Sequence, residues 1–157
     1  MRGQRLVLAV HVAEALRNQI LAEAEHHLPC ETGGLLLGVR DGAAETLVIT
    51  ELVSAGPGAQ RERYRFVPDG AWQRRQIAER YEASGRTLEY LGDWHSHPHG
   101  NGPSRLDRNT ARSIARTRSA RCAHPFFLIA SREREEWELR AYRFGRRRFR
   151  RMPVVIV

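Results

Sequence analysis

The sequence predicts an α+β fold: a mixed, mostly antiparallel sheet flanked by helices. Two observations carry that expectation. Short aliphatic and β-branched runs, bounded by Gly, Pro and Asp turn signals, recur along the whole chain. Three longer stretches carry helical spacing instead, and strands and helices mix without a regular βαβ rhythm. No repeat or low-complexity linker divides the 157 residues, so residues 1–157 read as one domain with one core.

In chain order, Leu6 to Val10 reads as a short strand. Val12, Leu16, Ile20 and Ala24 form one stripe of a helix over Val12 to His27, which Pro29 ends. Gly33-Gly34 opens the strand Leu35 to Val39. Asp41-Gly42 signals a turn into the paired strand Thr46 to Ser54. Residues 55–63 read as a loop, and Tyr64 to Val67 as a strand stopped by Pro68-Asp69-Gly70. Ala71 to Ser84 reads as a second helix with Trp72, Ile77 and Tyr81 toward the core and Gly85 as its cap. A strand over Thr87 to His97, a loop from Pro98 to Pro103 and a helix over Ser104 to Thr117 follow. Phe126 to Ala130, Trp137 to Phe144 and Phe149 to Val157 complete the strands.

Bulk composition excludes several classes. No apolar run approaches the ~18–20 residues of a membrane helix, and the run before His11 is too short for a signal-peptide core. The reading is a cytoplasmic protein with no membrane partner. The two cysteines, Cys30 and Cys122, form no CxxC, which excludes a thiolate zinc ribbon. They are expected reduced, with Cys30 a small buried hydrophobe rather than a nucleophile. The net charge is +8 and every basic side chain is arginine, 26 in all with no lysine. GC-rich codon usage accounts for most of that bias. A lysine-free chain would also escape a lysine-directed conjugation system. Arg105, Arg108, Arg112 and Arg116 form a helical stripe, and further arginines crowd the C-terminal strands. A solvated face or a charge-guarded edge explains them better than nucleic acid, for which no recognition motif is present.

The chemistry concentrates in Trp94-His95-Ser96-His97-Pro98. Side chains alternate along a strand, so His95 and His97 share a face about 6–7 Å apart and can close on one cation. Asp107, in the first turn of the following helix, can add a carboxylate. Two histidines, one carboxylate and an open position describe a catalytic zinc site. Competing readings are a structural histidine pair, and Ser104-x-x-Asp107 as a simple capping box. His99 is a rival ligand, but Pro98 and Gly100 place it on the loop. Glu31, between Pro29 and Gly33-Gly34, is the candidate general base. The Ser104 hydroxyl is the candidate oxyanion donor.

Three segments, Pro29-Cys30-Glu31-Thr32-Gly33-Gly34-Leu35-Leu36-Leu37-Gly38, His95-Ser96-His97-Pro98 and Ser104-Arg105-Leu106-Asp107, together resemble the JAB1/MPN/Mov34 (JAMM) metalloprotease family. The stretch from Tyr90 to Pro98 resembles its compact bacterial branch, the deubiquitinase-like peptidases of bacterial ubiquitin-like conjugation operons active against phage. One departure stands out: the six residues Pro98 to Pro103 make the loop before Ser104 one shorter than the family's usual spacing. The resemblance implies an MPN/JAB-like domain of cytidine-deaminase-like architecture. It implies Zn²⁺ on His95, His97 and Asp107, Glu31 as base and Ser104 as oxyanion support. It further implies a ubiquitin-like protein or its conjugates as substrate, with E1-like and E2-like proteins of the same pathway as partners. The region from Gly56 to Phe66 occupies the place of a family insertion, which makes Tyr64 and Phe66 candidate contacts for an extended substrate tail. Action on a sulfur-carrier protein, or a basic binding module with a vestigial metal site, are the alternatives.

Overall fold

The computed structural model describes residues 9–43, 45–100, 102–120 and 122–157. Its elements are β1 (Ala9–Val12), α1 (Glu14–His26), β2 (Gly33–Asp41), β3 (Thr46–Val53), β4 (Gln60–Arg61), β5 (Phe66–Val67), α2 (Gly70–Ala83), β6 (Glu89–His97), α3 (Arg105–Arg116), β7 (Phe126–Glu133), β8 (Glu136–Gly145), β9 (Arg148–Met152) and β10 (Val154–Ile156). Eight strands form one sheet in the order β10-β1-β3-β2-β6-β7-β8-β9, and β4 and β5 form a separate ribbon. Antiparallel pairings outnumber parallel ones, which are β1 with β10, β1 with β3, and β6 with β7. The α+β expectation holds.

Strand alternation divides the core between the two faces of the sheet. Leu36, Trp94, Leu128 and Ala130 join Ile20 and Ala24 of α1 on one face. On the other, Leu35, Leu37 and Val53 pack with Trp72 and Ile77 of α2. Phe127, Ile129 and Phe144 pack there with Ala111 of α3. The sheet thus lies between α1 on one side and α2 with α3 on the other. The central strand β6 runs beneath the space between α2 and α3.

Several boundaries depart from the sequence reading. Val12 belongs to β1, where it pairs with Ile49 and Ile156, and α1 starts only at Glu14; its apolar spacing matched the helical stripe because strand and helix meet there without a polar break. Residues 6–8 of the first expected strand lie outside the described residues. The 55–63 loop contains β4. The following strand is only Phe66–Val67, with Tyr64 in the bend between them. The expected strand over Phe149 to Val157 is two strands, because Pro153 has no N–H to give a ladder. These two strands sit on opposite edges of the sheet: β9 pairs with β8, and β10 with β1. The sheet therefore curls until its edges are joined by a single residue, whose carbonyl accepts from the Val10 N–H at 2.9 Å. Cys30 is half-buried at a turn rather than in the core, and both cysteines are free. No helix among the described residues is long and apolar enough to cross a membrane.

Candidate metal centre

Strand register brings together residues more than sixty positions apart. Gly33 of β2 pairs with His95 of β6. One step further, the Ser96 N–H donates to the Thr32 carbonyl at 2.8 Å, and the Thr32 N–H donates to Ser96 Oγ at 3.0 Å. Continuing that register sets Glu31 level with His97, and the two-residue period puts Glu31, Gly33, His95 and His97 on the same face. Gly33 is required there. A Cβ would lie 2.4 Å from the Trp94 carbonyl oxygen and 2.9 Å from the His95 Cβ.

Asp107 arrives from the other side. Ser104 caps α3: its Oγ accepts from the Asp107 N–H at 3.1 Å, and Asp107 Oδ2 accepts from the Ser104 N–H at 2.7 Å. The capping box is therefore present, and it does not compete with a ligand role. It aims the Asp107 carboxylate at the histidines. His95 Nε2 lies 3.1 Å from Asp107 Oδ1, and His97 Nε2 lies 3.5 Å from Oδ2. Ligand atoms of these three residues all fall within 4.8 Å of one another. His95 Nε2 is buried with no partner in hydrogen-bonding geometry. A buried nitrogen left unmatched in this way carries a desolvation cost. A cation bound by these groups would satisfy it, so the donor set fits a metal. Phe127 braces the His95 ring edge-on, with centroids 5.6 Å apart.

Burial pushes the Asp107 carboxyl up, but the closeness of His95 and His97 and the bond from the Ser104 amide outweigh it and hold the group well below the usual carboxylate range. Glu31 is shifted the other way. Burial raises it, and the nearby His97 and His95 only partly offset that. Glu31 faces the same cleft as the three convergent residues, as do Ser104, Tyr64 and Phe66. The cleft has a volume of about 510 Å³. Two tethers, one backbone and one between side chains, tie the segment around Glu31 to the β4 region: the Glu31 N–H donates to the Glu62 carbonyl at 2.8 Å, and Arg61 Nε donates to Thr32 Oγ1 at 2.9 Å. His99 stays out of the convergent group. Its Nε2 accepts from Arg63 Nε at 3.2 Å, and its ring lies 5.0 Å from that of Tyr64.

Asp93 was not anticipated as a site-facing residue. Asp93 lines the cleft two residues before His95, on the same face. Its carboxylate Oδ1 accepts from the Tyr90 hydroxyl at 2.5 Å. Residues three apart on a regular strand face opposite ways. The β2–β6 register shifts between Leu36 and Leu37, leaving Leu91 as an extra residue on β6 and returning Tyr90 to the cleft face. Burial raises the Asp93 carboxyl to about 6, against the opposing pull of the Tyr90 bond and His95. The alternation Asp93, His95, His97 along β6 was the available signal.

The arginine stripe lies on α3, with Arg105 and Arg116 exposed and Arg108 and Arg112 half-buried. Part of the C-terminal charge is neutralised, with Arg140 2.7 Å and Arg151 3.3 Å from Glu138.

Residues 13–145 match the family described as prokaryotic homologs of the JAB domain. A probable metalloprotease, y4qB, of Sinorhizobium fredii is 34% identical over 130 residues, covering 82% of this chain and 79% of its own. A CD-NTase/cGAS isopeptidase of Vibrio cholerae is 38% identical over 88 residues, 55% of each chain. The match spans about half the length of such isopeptidase relatives. The solution structure of protein DSY2949 from Desulfitobacterium hafniense shares the fold, with a TM-score of 0.74 at 21% identity over 94% of this chain and 92% of that one.

Proposed function

This chain belongs to the family of prokaryotic JAB-domain homologues, and on that premise we propose that it is a zinc-dependent isopeptidase or peptidase cleaving after the C-terminal residue of a bacterial ubiquitin-like protein. The observation that carries the reading is the convergence of His95, His97 and Asp107 in one cleft with Glu31. Two imidazoles and one carboxylate suit Zn²⁺ and leave a coordination position open. When bound, the ion supplies Lewis acidity toward a carbonyl and a water.

The chain's own residues do the remaining work. Glu31 takes a proton from the attacking water and returns it to the leaving nitrogen as the C–N bond breaks. Its burial-raised pKa suits a group that must accept and then release a proton. Ser104 Oγ accepts from the Asp107 N–H, so its own O–H is available to donate to the developing oxyanion. Tyr64 and Phe66 form an apolar wall against which an extended tail ending in small residues would lie. The relatives named CD-NTase/cGAS isopeptidases support conjugates, rather than only precursors, as substrate. By the same resemblance, the pathway is an anti-phage conjugation system with E1-like and E2-like partners, and the enzyme works in the cytoplasm.

Metal analysis joined to cleavage of a ubiquitin-like fusion tests the proposal. The expected wild-type content is roughly one zinc per chain, lost in His97→Ala. Glu31→Ala should keep the zinc and lose cleavage by about 10²–10⁴-fold. Full activity in Glu31→Ala would remove the assigned base.

A further inference from the structure

We propose that Asp93 and Gln73 form a subsite that takes a cationic side chain, arginine or lysine, of the substrate within about three residues of the cleaved bond. The inference rests on the hydrolase reading above. It concerns which substrate that cleft prefers.

Asp93 spends one carboxylate oxygen on the Tyr90 hydroxyl. In a chain of 26 arginines, none of the described ones forms an ion pair with it. Leu35 pairs with Asp93 on one side and with Val53 on the other, and Gln73 of α2, only 4% exposed, bonds to Ser54, the residue after Val53. Its amide NH₂ donates to the Ser54 carbonyl at 3.0 Å, which fixes the side chain and leaves its oxygen without a partner among the described residues. Both groups line the cleft. An anion and an unpartnered amide oxygen lining one cleft suit one group that carries several donors and a positive charge.

The surroundings fit such a group. Leu35, Phe66 and Pro68 line the same cleft and offer apolar surface to the methylene stem of a long cation. The β6 bulge is the enabling device, because it turns Tyr90 toward Asp93 and holds the carboxylate in one orientation. Asp93 precedes His95 by two residues on one strand face, a span of about 6–7 Å. An extended substrate crosses that span in two residues, and a long side chain reaches as far again.

Internally quenched peptides test the subsite. Arginine, lysine, citrulline or norleucine is placed in turn at each of three positions on either side of a Gly–Ala bond, and kcat/KM is measured with zinc-loaded wild type and D93N. The expected result is one position at which arginine and lysine exceed citrulline and norleucine by about tenfold or more. In D93N that ratio falls toward one. A ratio that survives in D93N, or no position with a cationic preference, overturns the subsite. The same peptides are titrated by fluorescence anisotropy on zinc-loaded E31A and on E31A/D93N, where no turnover is needed. A cationic preference in binding that D93N abolishes supports the subsite even if wild type cleaves nothing, an outcome that would count against the hydrolase reading alone. Equal binding of charged and neutral peptides to E31A overturns the subsite independently of catalysis.

Discussion

Two separable jobs are proposed for Ser104, helix cap and oxyanion donor, and a three-member substitution series distinguishes them. Its Oγ accepts from the Asp107 N–H, while its backbone N–H donates to Asp107 Oδ2. Alanine removes the first bond and keeps the second, so the Asp107 carboxylate stays tethered and metal content should hold. Losing a serine N-cap to alanine costs about 1 kcal/mol, and to glycine only a few tenths. For a chain of this size, about 1 kcal/mol lowers Tm by roughly 2–4 °C. Loss of a hydroxyl that stabilises an oxyanion costs about 10²–10³ in kcat. Ser104→Ala and Ser104→Gly should therefore differ in Tm but lose kcat equally, and Ser104→Thr should retain both. Thermal melts and single-substrate kinetics read the two quantities. If kcat instead tracks Tm across the series, or stays within a few-fold of wild type in both variants, Ser104 is a cap and nothing more.

Three further outcomes are expected. Gly33→Ala drives a Cβ against the Trp94 carbonyl and the His95 Cβ; it should cost about 1–3 kcal/mol and lower zinc content, and a wild-type melt with full zinc would show that β2 can yield. Tyr64→Ala should raise KM about fivefold, from roughly 1 kcal/mol of lost ring contact, with zinc unchanged. It is a cleaner probe than shortening residues 56–63, which would also break the Glu62 and Arg61 tethers beside Glu31. The acid limb of kcat/KM should lie above the ordinary glutamate range. The proposed base must be ionised to act, and burial raises the Glu31 pKa, so activity is expected to grow as pH climbs through that value. A limb at or below the ordinary range would contradict that environment.

Legibility from sequence followed the range of the interaction. The His95–His97 pair and the Ser104–Asp107 turn are local patterns of period two and three, readable without a fold. That the cap also aims Asp107 at the histidines depends on where α3 sits over β6, which no spacing encodes. Glu31 was identified through a motif. Its actual placement comes from the β2–β6 register, through the Thr32–Ser96 exchange. Asp93 and Tyr90 escaped notice because regular alternation puts them on opposite faces, and only a bulge makes them neighbours. Pro153 announced a break in the last strand, but nothing local says that the two halves belong to opposite edges.

That last arrangement bears on how the protein is made. The convergent His95, His97 and Asp107 lie between positions 95 and 107, but β1 pairs with β10, from the far end of the chain. During synthesis, β1 can dock on β3 long before its other partner exists. Until then Val10 and Val12, both fully buried in the finished fold, sit on a strand with one open ladder edge. Pairing over such separations is slow, and an unpaired apolar edge invites neighbouring chains. The last strand therefore works as a latch: a chain that stops at Pro153 would keep His95, His97 and Asp107 and still tend to self-associate through β1.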